Sequence, residues 1–458
     1  MSANKVKRVP MPELAVEERV KTFDEVPLGY TEEQAVLEAG RCMQCGNAPC
    51  IMECPVNIDI KMFLKQVSLK DFKGAFLTIK KYNPIPAITG RVCPQETQCE
   101  GVCTLGKIGD ATNIGKVESF VADWARKNNV REEFDVVERS QKVAVIGSGP
   151  ASISCAVDLR KSGYQVVMYE ALHKAGGVLQ YGIPEFRLPR DVVDAELSYL
   201  SDIGVEIRLN RIIGQNVSFD ELRDEYDAIF VGTGAGAPLF LGIDGEKLNG
   251  VYSANEFLIR VNLMKAYKFP EYDTPVRVGG KVGVIGAGNV AMDAARSAVR
   301  LGAEVHVLYR RTKKEAPVRV EEMRHAIEEG INFVELVGPV RILGEEGWVK
   351  GIELVKMKLG KPDKSGRPRP VPVRGSEFTM DLDTVVVALG TRPNRLFLSR
   401  VPGLETTDKG IIIVGDDLAT NIDGVFAGGD AISGGSTVIL ALGEGRKAAK
   451  SIEDYLAG

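Results

Sequence analysis

Apolar and polar residues follow two different rhythms along this chain. In the first part the apolar positions recur at helical spacing: Thr31 is placed to cap a helix over residues 32–39 (EEQAVLEA), and Gly40 stops it. Residues 59–82 (DIKMFLKQVSLKDFKGAFLTIKKY) carry the same period, broken at 68–71 by a predicted turn and a new N-cap. The later half of TLGKIGDATNIGKVESFVADWARKN, after residue 103, predicts one more amphipathic helix. From Gln141 the rhythm changes to short apolar runs separated by helices. KVAVIGSGPASISCAVDLRKSGYQVVMYE reads as strand, glycine turn, helix and strand, and the pattern returns from Lys281 in KVGVIGAGNVAMDAARSAVRLGAEVHVLYRRT.

Further runs place these units relative to one another. YDAIFVGTGAG, residues 226–236, is a buried-type strand ending in glycines, and DTVVVALGTRPN, residues 383–394, echoes it. The echo predicts that the chain leaves one domain near 236 and re-enters it near 388. Residues 175–189 (AGGVLQYGIPEFRLP) predict a long irregular loop near a cofactor, and residues 349–388 a hairpin with a long, exposed, basic and proline-rich loop. The fold class is α/β: two Rossmann-like dinucleotide-binding domains, one inserted in the other, preceded by a mainly α-helical domain. The expected boundaries are 1–138 for the helical domain, 139–236 with 388–458 for the first nucleotide domain, and 237–387 for the inserted one.

Composition narrows the function. The 458 residues suffice for about three domains. Fifty-eight basic residues against 62 acidic ones, a net charge of −4, argue against nucleic acid or an anionic membrane as partner. No apolar run approaches a membrane span, and charges and prolines interrupt MSANKVKRVPMPELAVEERVK before a signal-peptide core could form, so a cytoplasmic location is expected. Only three histidines are present, against 49 glycines, which favours cofactor binding over histidine-based acid–base chemistry.

Seven of the eight cysteines fall between residues 42 and 103, in RCMQCGNAPCIMECP and RVCPQETQCEGVC. In a cytoplasmic chain such a group reads as metal or redox ligands and not as disulfides. The Cys54-Pro55 and Cys93-Pro94 pairs match the cysteine-proline pairing of ferredoxin-type sites, although CxxCxxxxCxxxCP departs from the simple bacterial spacing. A zinc site or a dithiol pair starting from Cys42 and Cys45 are the alternatives. Seven thiols fall one short of two four-ligand sites, so either one site is incomplete or an eighth ligand is not a cysteine.

The glycine turns supply the second chemistry. Gly147 makes the tight turn, Gly149 admits a pyrophosphate to the helix N-terminus, and Glu170 ends the second strand where it can bind ribose hydroxyls. Ser152 stands where the third glycine usually does, which predicts looser helix–strand packing. Gly286, Gly288 and Ala291 repeat the turn, but the second strand now ends in Tyr309-Arg310-Arg311; two guanidinium groups there suit a ribose 2′-phosphate and so NADP(H), the alternative being a solvated basic turn. Near the C-terminus, Asp430 in GVFAGGD is placed to bind a polyol hydroxyl, and a helix starting near Thr437 can aim its positive end at a flavin.

In this order, RCMQCGNAPCIMECPV, GRVCPQETQCEGVC, NIGKVESF, VAVIGSGPAS, GGVLQYGIPEFRLP, VIGAGNVAMDAAR, ALGTRPN and GVFAGGD resemble, nearly end to end, the glutamate synthase small (beta) subunit family. That family includes the large subunit of NADH-dependent ferredoxin:NADP oxidoreductase, sulfide dehydrogenase alpha subunits and the N-terminal part of dihydropyrimidine dehydrogenase. The resemblance implies FAD at the first turn, NADP(H) at the second and two interleaved [4Fe–4S] clusters. One cluster would take Cys42, Cys45, Cys50 and Cys103; the other would take Cys54, Cys93 and Cys99, with Glu118 where dihydropyrimidine dehydrogenase has a glutamine. It also implies cofactor contacts from Pro150, Ala151, Gly177, Leu179, Asn289, Val290, Gly390, Gly429, Thr437 and Val438.

The function implied is an NADPH-dependent oxidoreductase subunit that passes electrons between NADP(H), FAD and the clusters, with no catalytic side chain. Its partner would be a separate catalytic or flavoprotein subunit: a glutamate synthase large subunit, or a smaller ferredoxin:NADP oxidoreductase subunit with ferredoxin as acceptor. A non-catalytic electron relay and a zinc-binding adaptor are the readings from other classes.

Overall fold

A computed structural model describes residues 7–363 and 366–458. The first region is helical, and local capping sets its boundaries. Thr31 accepts from the Gln34 amide while the Gln34 side chain accepts from the Thr31 amide, a reciprocal cap that starts the helix Glu32–Ala39. Asp59 and Asp71 cap Ile60–Ser68 and Phe72–Lys80, so the break expected at 68–71 is a turn between two helices. Pro86–Val92 and Ile114–Lys127 complete the group that holds the cysteine loops.

Two parallel five-stranded sheets follow. In the first, the order is Val425–Ala427, Ala228–Val231, Lys142–Ile146, Gln165–Tyr169, Glu206–Arg208. In the second it is Val251–Ser253, Thr384–Val387, Lys281–Ile285, Glu304–Tyr309, Asn332–Glu335. The chain therefore passes from the first sheet to the second and back. Ala237–Pro238 and Thr391–Arg392 pair antiparallel where the two crossings meet.

The helical region and the first sheet share one hydrophobic core. Val67, Ile79 and Val121 belong to the same buried cluster as Val143, Ile153 and Leu442, whereas the second sheet packs its own core around Val284, Met292 and Val307. The C-terminal helix Val438–Ala457 lies against Pro150–Lys161. A side chain at Gly445 would come within 2.1 Å of the Ala151 carbonyl, so glycine is needed for that close crossing.

Two expectations change. The proline-rich loop is mostly strand: Trp348–Pro362 pairs antiparallel with Pro368–Asp381. The latter is an edge strand, and Pro368, Pro370 and Pro372 alternate along it, so their missing N–H groups can fall on the unpaired side. Ser152 does not loosen its unit either, because the space is provided by the glycine that follows the strand Ala228–Val231. A side chain at Gly232 would meet Ser152 Oγ at 2.1 Å, and Ser152, fully buried, donates to the Gly232 carbonyl at 3.4 Å.

Candidate functional site

The cysteines form two groups. Cys42, Cys45, Cys50 and Cys103 line one cavity with Lys61, Leu64, Thr104 and Ile114. Burial pushes the Cys50 thiol up to about 11, and the neighbouring Cys42 and Cys103 add to it. Gln44 donates to Cys42 Sγ at 3.4 Å and to the Lys61 carbonyl, which fixes the loop between the first two cysteines.

Cys54, Cys93 and Cys99 are buried, and the structure brings Glu118 to them from the helix Ile114–Lys127. Burial raises all three thiols, Cys93 and Cys99 strongly, and the Glu118 charge raises each of them further. Glu118 itself is pushed up to about 7 by burial, against hydrogen bonds from Thr89 Oγ1 at 2.7 Å and Asn83 Nδ2 at 2.9 Å. Both bonds go to Oε1; among the described residues no hydrogen bond reaches Oε2. A buried carboxylate among three buried thiols is unfavourable by itself. It becomes favourable when a cationic metal core draws off the thiol protons and takes the free carboxylate oxygen. The donor sets, four thiols in one place and three thiols with a carboxylate in the other, fit two four-ligand clusters. Cys155 is buried in the helix Pro150–Lys161, outside both groups.

The two nucleotide turns share one geometry. Gly147 and Gly286 have φ of +93° and +124°, and side chains there would strike the carbonyls of Gly232 at 2.5 Å and Ala388 at 2.4 Å. At Gly149 a side chain would meet nothing within 4 Å, and at Gly288 only the Pro317 carbonyl at 3.9 Å. The first glycine of each pair is therefore required by the chain's own backbone, and the second faces open space at a helix N-terminus, where a pyrophosphate fits. Pro150 and Ala151 open the first helix, and Asn289 and Val290 the second.

Around the first turn, Glu170 accepts from Ser148 Oγ and, at 2.8 Å, from the Leu172 amide, and each oxygen keeps a lone pair for a hydroxyl. Gly177, at φ +54°, packs onto Gly149, and Leu179 is buried in the short helix that follows, so the loop over 175–189 does close on the glycine turn. Gly429 has φ +68° and its amide donates to Glu444 at 2.6 Å; Asp430 accepts from Ser436. Thr437 caps the helix begun by Val438, and Gly390, at φ +102°, lies at the return crossing. Tyr181 was not anticipated. Burial, then the charges of Glu170 and Asp430, push its hydroxyl up to about 12, and a side chain at Gly236 would come within 3.8 Å of that hydroxyl. The only sequence signal was an aromatic residue within the glycine-rich 175–189 loop.

At the second turn the arginine expectation narrows. Arg310 is exposed at the end of Glu304–Tyr309, but Arg311 is 2% exposed. Arg311 donates to Asp363 Oδ2 at 2.6 Å and to the Pro368 carbonyl at 2.8 Å. The antiparallel hairpin thus engages Arg311, and Arg310 stays exposed at the strand end.

Comparison with known proteins matches residues 19–130 to "Dihydroprymidine dehydrogenase domain II, 4Fe-4S cluster" and residues 141–445 to "Pyridine nucleotide-disulphide oxidoreductase". The glutamate synthase [NADPH] small chain of Escherichia coli is 37% identical over 462 residues, covering 98% of each chain. The chain belongs to the glutamate synthase small-chain family. It is an oxidoreductase that joins a 4Fe–4S domain to a flavin- and nicotinamide-nucleotide fold, and its cofactor set is FAD, NADP(H) and [4Fe–4S] clusters. The NADP(+)-dependent formate dehydrogenase subunit beta of Moorella thermoacetica is 39% identical over 435 residues, 89% of this chain and 60% of that one. In fold, Mycobacterium tuberculosis FprA in complex with NADPH superposes with a TM-score of 0.59 at 21% identity, over 70% of this chain and 85% of that one. Among the described residues no helix is long and apolar enough to cross a membrane.

Proposed function

We propose that this chain takes electrons from NADPH and delivers them, through its cysteine-rich region, to a separate subunit. The reading is carried by one arrangement: two nucleotide turns whose second glycines face open space, the first of them joined through a shared core to two four-donor groups. Gly286, Gly288, Asn289 and Arg310 would bind the nicotinamide nucleotide; Gly147, Gly149, Glu170, Asp430 and Tyr181 would bind and orient FAD. Cys42, Cys45, Cys50 and Cys103 would hold one cluster, and Cys54, Cys93, Cys99 and Glu118 the other. When bound, the flavin converts a hydride pair into single electrons and the clusters carry them. The chain's own residues position these groups and set their surroundings, and no side-chain acid or base is required. Anaerobic purification tests this: iron equal to two four-iron clusters per chain and bleaching of the flavin by NADPH are expected, whereas a colourless protein, or bleaching by NADH alone, overturns it.

The partner proposed is a glutamate synthase-type large subunit in the cytoplasm. The cavity of Cys42, Cys45, Cys50 and Cys103 includes Met43, and Met43, Met52 and Met62 are all exposed on the elements around it, an adaptable apolar surface suited to docking. Co-purification from the native source decides the point. A glutamine-hydrolysing chain supports the reading, and a ferredoxin-reducing flavoprotein assigns the chain to the oxidoreductase branch instead.

A further inference from the structure

Arg319 belongs to the inserted domain, yet its side chain lies among the residues of the Cys93–Cys99 loop. It is buried. Its guanidinium donates to the Arg91 carbonyl at 2.9 Å and to Gln95 Oε1 at 3.0 Å, while its backbone amide donates to Asn289 Oδ1 at 3.0 Å. Asn289 is the first residue of the helix that begins at the second nucleotide turn. The next residue repeats the bridge, since the Val320 amide donates to Glu96 Oε1 at 2.9 Å.

From Gln95 the contacts run on to the non-cysteine ligand. Gln95 Nε2 donates to the carbonyls of Thr89 at 3.3 Å and Gly90 at 3.2 Å, and Thr89 Oγ1 donates to Glu118. Gly115, on the same helix as Glu118, leaves the room for this: a side chain there would come within 2.2 Å of Gln95 Nε2. The joint flanks a cavity of about 480 Å³ lined by Gln95, Glu96, Lys116, Arg319, Val320 and Glu321, so polar contacts and not a packed apolar seam connect the two parts here. Arg91 and Gln95, which hold the guanidinium, stand two residues before and two residues after Cys93.

We propose that Arg319 is a positioning residue that couples the nicotinamide-nucleotide site to the cluster held by Cys54, Cys93, Cys99 and Glu118. A reduced cluster carries one more negative charge, which the guanidinium stabilises. Without Arg319, Glu96 loses that cation and Glu321 keeps only Lys116, so the local charge becomes more negative and reduction becomes harder. A nucleotide at Gly288 acts on Asn289 and so on the bond that holds Arg319. By linkage, reduction of the cluster must change nucleotide affinity by the same factor. The proposal rests on the ligand assignment made under Proposed function, and the experiment separates the two.

Both clusters are titrated with dithionite in the holoprotein and followed by electron paramagnetic resonance, with and without 2′-phospho-ADP-ribose, which has the pyrophosphate but no reducible ring. If the wild-type protein lacks two cluster signals, the ligand assignment fails first. With both present, Arg319→Gln should make reduction of the Glu118-side cluster about tenfold harder, a fall of about 59 mV for one electron. The Cys42-side cluster should not move, and Arg319→Lys should recover most of the fall. The dinucleotide fragment should shift the Glu118-side equilibrium at least threefold in the wild type and not in Arg319→Gln. Gln95→Leu, which keeps the cation but cuts the link, should lose only the fragment-induced shift; it serves if Arg319→Gln does not fold. Equal movement of both clusters, no movement of either, or a fragment shift that survives both substitutions overturns the proposal.

Discussion

Glu118 and Arg311 show what single residues can and cannot reveal by position alone. Glu118 carries its charge to three buried thiols and takes hydrogen bonds from Thr89 and Asn83 on one oxygen, so a cluster ligand role makes a direct prediction. Glu118→Ala should lower iron to about half and remove one cluster signal, while Glu118→Gln, which keeps a donor oxygen, should retain more of both. Full iron and two unchanged signals in Glu118→Ala would rule the role out. The arginine pair reads differently. Arg310→Ala should raise the NADPH KM by about tenfold or more and leave NADH unaffected, the loss of a charge-assisted phosphate contact. Arg311→Ala should instead lower stability, because it removes a buried ion-pair partner of Asp363 and the donor to the Pro368 carbonyl. The sequence marks both arginines equally, since the residue that separates them lies 52 positions away on a hairpin.

At the scale of elements, most of the architecture is written locally. The caps at Thr31, Asp59 and Asp71, the period of the apolar positions and the two glycine turns each follow from residues within one helical turn of their effect. Elements whose form depends on a distant neighbour were not legible in this way. The alternating prolines at 368, 370 and 372 look like a loop until an edge strand gives their missing N–H groups an unpaired side. Ser152 looks like a looser turn until Gly232 is found opposite it. That pairing is testable, because the glycine stands just past the strand Ala228–Val231 and not in the helix. Gly232→Ala should destabilise the protein by about 1–3 kcal/mol through overpacking and weaken FAD retention. Ser152→Ala combined with Gly232→Ala removes the hydroxyl from the clash, leaves the Phe230 ring at 2.9 Å, and should recover part of the loss in thermal unfolding. Equal instability in the single and double variants would show that the serine is not the opposing group.

Across the whole molecule, the three regions are fastened by an ionic network that no motif announces. Glu329, with a fully buried side chain, accepts from Arg296 at 2.7 and 3.0 Å and from Arg300 at 2.8 and 3.1 Å, and lies 3.2 Å from Arg19 of the N-terminal region. Arg296 and Arg300 also lie over the ring of Phe186, from the loop after the first nucleotide turn, at 4.6 and 3.9 Å. Burial raises the Glu329 carboxyl, but the hydrogen bonds from Arg296 and Arg300 outweigh it and bring it to about 2, from an ordinary 4.5. The folded value is the lower one, so the carboxylate stabilises the fold above about pH 4.5, and that contribution, about 3 kcal/mol, is lost as pH falls toward 2. Glu329→Gln keeps the shape and removes the charge, which leaves three buried arginines with one anion fewer. It should cost about 3–5 kcal/mol in urea unfolding at pH 7. As the wild-type carboxylate protonates in acid, the difference between the two proteins should shrink, and a gap that stays constant down to pH 3 would mean that packing and not the ion pairs fastens the regions here.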